Sequence, residues 1–266
     1  MIKEFKTINQ PSRETETLQK NVREVVDDAR VSLGNTRYPK PGFYGDSVNR
    51  ITVPFTSNES ERRLLNIAGT IVKPTEDLHC DLSVSGVGGL REGLTLSNIT
   101  PYYLYGIMDG SNPSLVADIA PPTEGLTGFG IGWTYFGAFA TDEFSGEVNE
   151  FSSVNGLYIS NWPMGTKQQS PFGEVLFEFE AMPLTVDKGY FFIEVDGTVP
   201  GSGGTIQGVS GLQALVVTLQ VSGVPNYSTG FVPVRTPKSV YVFNSSSSNV
   251  TNAHLAGWQE DVMRFQ

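Results

Sequence analysis

With 266 residues the chain suits one large β domain or two small ones with a substantial core, and a hydrophobic content of 39% excludes intrinsic disorder. A net charge of −10, with no Lys/Arg cluster beyond Arg62-Arg63, argues against a nucleic-acid partner because a phosphate backbone would be repelled. Lone Cys80 cannot close an internal disulfide, and the longest apolar run, Leu212 to Val221, is interrupted by Gln213, Thr218 and Gln220 and is too short to span a membrane. Met1 to Lys6 lacks the apolar core of a signal peptide, so cytosolic synthesis without membrane insertion is expected. Gly (29) and Pro (16) are plentiful and helix-forming charged runs are scarce after residue 65, which points to an all-β class of short strands and tight turns.

From Arg13 the apolar residues Leu18, Val22, Val25 and Ala29 follow a 4-3-4 spacing among charged neighbours, the pattern of an amphipathic helix with a seam narrow enough for a coiled coil. Gly34-Asn35 stops it. About 20 residues make a helix roughly 30 Å long, and two heptads are marginal alone. Such a stripe can dock on the chain's own β domain or on sister copies. The connector Arg37-Tyr38-Pro39-Lys40-Pro41-Gly42-Phe43-Tyr44-Gly45 is stiff and extended and leads away from the helix, which favours a bundled stem. Residues 1–35 are therefore expected to be a docking segment and coiled-coil stem, in which Val22 and Val25 do not select two strands over three, and residues 36–45 a linker.

Residues 46–165 read as a first β domain. Ile51, Val53 and Phe55 alternate, residues 58–65 form a turn or short helical piece, and Ile67 to Val72 and Leu78 to Val84 are strand-like before Gly86-Val87-Gly88-Gly89 breaks the pattern. Leu94 and Leu96 suggest a short strand. Tyr103, Tyr105 and Ile107 share a face at a spacing of two, and Asp109 to Pro113 turns the chain. Trp133, Tyr135 and Phe139 then lie opposite Phe136, Ala138 and Ala140, so both faces of that strand are expected to be buried. Asp142 to Gly146 turns into Val148-Asn149-Glu150-Phe151, and Asn155-Gly156 is a strong hairpin signal leading to Leu157-Tyr158-Ile159. Asn161 to Ser170 is the expected boundary.

Residues 166–266 read as a second β domain with a C-terminal arm. Val175, Phe177 and Phe179 alternate with Glu174, Leu176, Glu178 and Glu180, and Tyr190 to Val195 follows, together suggesting a strand pair. Gly197 to Gly211 reads as a flexible loop, Leu212 to Val221 and Ser239 to Phe243 as strands, and Gly257 to Gln266 as a short helix or anchoring arm. The whole is expected to be an N-terminal helix followed by two antiparallel β-sandwich or jelly-roll-like units. Asn-X-Ser/Thr triplets at Asn58, Asn98, Asn226, Asn244 and Asn249 read as a by-product of polar loops.

Little in this pattern carries chemistry. His79 and Cys80 are neighbours on a strand and point to opposite faces, so they read as a rim histidine and a core thiol rather than a dyad. His254 has no Cys or carboxylate at ligand spacing and reads as solvated. A glycosidase needs two carboxylates, and Asp142, Glu143, Glu147, Glu150, Glu178, Glu180 and Glu194 are available, but alternating Glu on a strand ordinarily marks the wet face of a sheet. Asp109-Gly110 and Asp196-Gly197 read as turns, and the Gly-rich loop lacks the Gly-Lys-Ser/Thr of a phosphate cradle. No catalytic residue, metal or cofactor is expected. Among the tryptophans, Trp133 reads as core and loop-borne Trp162 as a candidate glycan contact.

The heptad segment Glu16-Thr17-Leu18-Gln19-Lys20-Asn21-Val22, followed by β units, resembles small structural proteins of tailed-bacteriophage virions, usually trimers forming fibres, knobs or decorations. Ile99 to Tyr105 with Gly132 to Asp142 resembles a hairpin of such proteins, so the resemblance covers residues 14–33 and 94–160. It implies a non-enzymatic homotrimer, closed along Leu18, Val22, Val25 and Ala29, that docks on other virion proteins. The β domains would then face outward for host attachment, on a host glycan for example, or for capsid decoration. Assembly in host cytoplasm and release by lysis would reconcile a sequon-rich β protein with the missing export signal. Rival readings are a glycan-degrading enzyme on the same virion and a carbohydrate-binding module of a cellular protein.

Overall fold

The computed structural model describes residues 42–260 apart from 48, 56–63, 127, 130–131, 143–144, 149, 155, 162, 171, 210–214 and 235–237. The expected helix with its seam Leu18, Val22, Val25 and Ala29, most of the piece at 58–65, the glycan candidate Trp162 and the arm beyond residue 260 all lie outside the described residues. Those described are all-β, without a helix. The strands are β1 (Phe43–Ser47), β2 (Arg50–Val53), β3 (Leu65–Ile67), β4 (Thr70–Val72), β5 (Leu78–Ser85), β6 (Gly89–Leu90), β7 (Pro101–Asp109), β8 (Asn112–Asp118), β9 (Trp133–Ala140), β10 (Phe151–Val154) and β11 (Leu157–Ser160). After them come β12 (Thr166–Gln169), β13 (Gly173–Glu178), β14 (Val186–Gly197), β15 (Gly203–Gln207), β16 (Leu215–Thr218), β17 (Asn226–Pro233), β18 (Ser239–Asn244) and β19 (Asn249–Glu260).

One long sheet runs β17-β14-β19-β11-β10-β1-β2-β5-β6-β8-β7-β9, with β12 also paired to β19. Hydrogen bonding therefore continues across residues 165 and 166, because β19 from the far end of the chain pairs β11 as well as β14. Pairing is antiparallel except at β6, which runs parallel to β5 and β8. The sheet curls until its last strand meets its middle: Phe139 of β9 stacks on Phe151 of β10 with ring centroids 6.1 Å apart. Phe43 of β1 packs edge-on against Phe151, and a Cβ on Gly137 of β9 would come within 2.7 Å of the Phe43 ring. That close approach needs glycine. Burial of Phe43 also explains why the Pro/Gly-rich stretch expected to be linker up to Gly45 instead contains β1, hydrogen-bonded between β10 and β2.

The hairpin of β7 and β8 turns through Gly110-Ser111, and β7 is buried from Tyr102 to Ile107 on both faces. Two segments help to cover it and β9. The β3–β4 hairpin closes over one end, where Ala68 N donates to Thr134 Oγ1 at 2.9 Å, and Leu184 N donates to the Tyr103 hydroxyl at 3.0 Å. The stretch at Leu94 and Leu96 forms no strand. Both side chains pack on the core from a loop, and the loop backbone is bonded by a side chain instead of a ladder: Ser97 N donates to the Tyr102 hydroxyl at 2.9 Å.

A four-stranded sheet, β13-β18-β15-β16, forms a second layer. It packs on the side of β14 and β19 that carries Phe191, Ile193, Val195, Ala253 and Leu255, facing Ile206, Val240 and Val242. Gly204 lets the layers meet, since a Cβ there would lie 2.9 Å from Val195 and would also strike Thr251. β15 thus occupies part of the stretch expected to be a flexible Gly-rich loop. β13 and β14 were expected to be a strand pair, yet they lie in different sheets, β13 pairing with β18 and β14 with β17 and β19. The expected C-terminal helix or arm is strand as far as Glu260, the last described residue.

Candidate functional site

The second layer covers one face of β14 and leaves the other open. Period-two alternation then sends Tyr190, Phe192 and Glu194 outward from β14, and directly paired residues share a face. Pairing places Phe231, Thr229 and Tyr227 of β17 opposite these three on one side, and His254 and Asn252 of β19 opposite Phe192 and Glu194 on the other. Thr166 and Gln168 of β12 extend the row beyond β19. The inward set of β14 is apolar and buried and that of β19 is buried, while the outward residues of β14 and β19 are half-buried or exposed and Tyr227, Thr229 and Phe231 of β17 are exposed.

Two ring pairs make up the surface. Tyr190 and Phe231 have centroids 5.0 Å apart at 48°, and Phe192 and Tyr227 are 5.1 Å apart at 31°. The β17 rings protrude, Tyr227 being 56% and Phe231 40% exposed, while their β14 partners are half-buried beneath them. Asn252 Nδ2 donates to Glu194 Oε2 at 3.4 Å. His254 is not the solvated histidine expected: its ring lies 5.4 Å from Phe192, and its Nδ1 shares a 2.8 Å hydrogen bond with Thr166 Oγ1. Its Nε2 sits 3.7 Å from Glu194 Oε2, within reach of an ion pair but too long for a hydrogen bond.

Burial holds the His254 pKa below its ordinary value, and Glu194 opposes that shift only in part. A lowered histidine pKa means that the unfolded chain binds the proton more readily, so folding is favoured above the unfolded value of about 6.5 and that advantage is lost as pH falls toward the folded pKa. We expect urea unfolding midpoints to decline between pH 7 and pH 5.5, and the His254→Gln variant to show a shallower decline. Equal slopes in the two proteins would contradict this.

Other candidates are accounted for by local structure. Cys80 is fully buried, with its thiol pushed up by burial and its Sγ donating to Gly89 O at 3.4 Å, whereas adjacent His79 is exposed and bonded to Thr52 Oγ1. Asp142 caps its own turn by accepting from Ser145 N and Gly146 N, and Glu150 accepts from Asn161 Nδ2 at 3.1 Å. Glu178 and Glu180 are exposed beside the four-stranded sheet, and Glu194 belongs to the other sheet. Glu143 lies outside the described residues. Among the described residues no group of three or more His, Cys, Asp and Glu could hold a metal, and no helix is long and apolar enough to cross a membrane.

Two sequons are structural instead of loop filler. Asn244 and Asn249 are buried, Asn244 Nδ2 donating to Asn249 O at 2.6 Å and Asn249 Oδ1 accepting from Thr198 N and Val199 N. Trp133, expected in the core, is half-buried and edge-on to Tyr105 at 5.2 Å. The rings of β17 escaped the sequence reading altogether. Their signal was there, as Tyr227, Thr229 and Phe231 alternate, but Asn226, Ser228 and Gly230 between them read as loop. No protein-family model, curated protein or solved structure matches the chain.

Proposed function

We propose that this chain is a non-enzymatic structural component of a tailed-bacteriophage virion, a homotrimer that docks through residues 1–35 and displays its β domains for attachment to the host surface. In this reading Leu18, Val22, Val25 and Ala29 close the trimer as a coiled-coil stem, and the β strands beyond it form sandwich or jelly-roll-like units. Its place is the particle, assembled in host cytoplasm and released by lysis, with other virion proteins as partners and no cofactor.

The observation that carries the attachment role is the open aromatic face of β17, β14 and β19, backed on its other side by a packed second layer. Exposed rings on a rigid platform suit recognition, because they gain contact area at little cost in conformational entropy. The same stem and face would also serve a decoration protein on the capsid shell.

Light scattering on the purified full chain tests the assembly. The expected mass is three times the 28.9 kDa of one chain, falling to one chain when residues 1–35 are deleted. A monomer at micromolar concentration would overturn the proposal.

A further inference from the structure

We propose that the outward face of β17, β14 and β19 is a binding site for a neutral saccharide chain, with Tyr227 and Phe231 as its stacking residues. The two rings stand four residues apart on one strand, which sets them about 13 Å apart. Exposed Thr229 lies between them. A sugar ring offers apolar C–H faces and a hydroxyl rim, so it needs an aromatic face beneath it and polar groups beside it. Both are present: each protruding ring leans on a half-buried ring of β14, and the Glu194–Asn252 pair lies on the neighbouring strands. The Tyr190 and Tyr227 hydroxyls have no hydrogen-bond partner among the described residues and are left for a ligand.

Charge selects the ligand class. Along the outward row of β14, Lys188 stands at one end and Glu194 and Asp196 at the other, in a chain of net charge −10. An anionic sugar would be repelled by the carboxylate end, whereas a neutral one keeps the stacking and hydrogen bonds without that cost. Pairing with a second copy along β17 is disfavoured by Pro225 before the strand and Pro233 at its end, since proline offers no N–H to a new ladder.

The test uses the purified full chain and pentasaccharides of four kinds: β-linked glucose, α-linked glucose, β-linked N-acetylglucosamine and, as the anionic comparison, galacturonate. Saturation-transfer NMR and calorimetric titration are expected to show binding to at least one neutral oligomer in preference to the galacturonate. The double variant Tyr227→Ala/Phe231→Ala should weaken that binding about tenfold or more with an unchanged unfolding midpoint, and Tyr227→Phe should retain most of it. Absence of binding to every neutral oligomer, preference for the galacturonate, or undiminished binding by the double variant each overturns the site. So does loss of self-association in the double variant, which would make the face an interface between copies. The inference rests on the attachment reading, yet the two fail separately. Saccharide binding by a monomer ends the trimeric assembly and leaves the site standing, and a trimer that binds no oligomer does the reverse.

Discussion

Replacing Trp258 with alanine is expected to lower the stability of the chain by about 3–5 kcal/mol, the range for truncating a fully buried large aromatic residue. Trp258 is 0% exposed and lies in β19, where its ring stacks on Tyr158 of β11 with centroids 4.0 Å apart and planes 2° from parallel. The contact does not stop at this pair. Tyr158 stacks on Phe151 at 4.7 Å, Phe151 on Phe139 at 6.1 Å, and Phe139 on Tyr102 at 5.7 Å, so a continuous run of rings links β19 to β11, β10, β9 and β7. Removing the terminal ring opens a cavity at the junction where the last strand joins the curled part of the sheet. Trp258→Phe should cost distinctly less, because it keeps a ring on Tyr158 and removes an indole Nε1 that has no hydrogen-bond partner. Urea unfolding followed by near-ultraviolet circular dichroism reads both variants. A loss below about 1 kcal/mol for Trp258→Ala would mean that β19 is held by its backbone ladder alone.

That same strand shows where the sequence stopped being legible. The aromatic strands of β7 and β9 were readable because Tyr, Phe and Ile repeat every second residue, and a turn of Gly and Ser separates β7 from β8. In β19 the inward positions are Thr251, Ala253, Leu255 and finally Trp258, small or polar for most of their length, and the outward ones include Asn252 and His254. Asparagine, alanine and glycine have low strand propensity, and only pairing with β14 on one side and β11 and β12 on the other makes the strand. Likewise Gly203-Gly204 reads as loop, although Gly204 is a packing residue that lets two sheets approach. Propensity is local, while these strands are specified by partners many residues away. The aromatic face was hidden for a related reason: half of it comes from β17, whose register against β14 no single stretch of sequence reveals. The division of the chain at residue 165 followed turn composition, which cannot report that β19 returns to pair with β11.

Glu260→Leu is expected to cost about 2–5 kcal/mol, the result of leaving several buried donors without an acceptor. Glu260 ends β19 and is buried. Its Oε1 accepts a 2.6 Å hydrogen bond from the Tyr135 hydroxyl and another from Thr185 Oγ1, and its Oε2 accepts from Ala138 N at 3.3 Å. One carboxylate thus joins the C-terminal strand, β9 and the segment before β14. Burial pushes the Tyr135 phenol well above its usual range and the adjacent Glu260 carboxylate raises it further, so at neutral pH Tyr135 is the donor. Leucine fills a similar volume but accepts nothing, and the buried donors of Tyr135 and Ala138 lose their acceptor away from bulk solvent. Glu260→Gln retains one acceptor oxygen and should recover part of the loss. Tyr135→Phe alone should cost about 1–2 kcal/mol, and in the double variant Glu260→Leu/Tyr135→Phe the penalty should fall short of the sum by about 1 kcal/mol, because the orphaned hydroxyl is gone. Strict additivity in that cycle, measured by urea unfolding, would show that the carboxylate and the phenol do not act together and that β19 is fastened to β9 by packing alone.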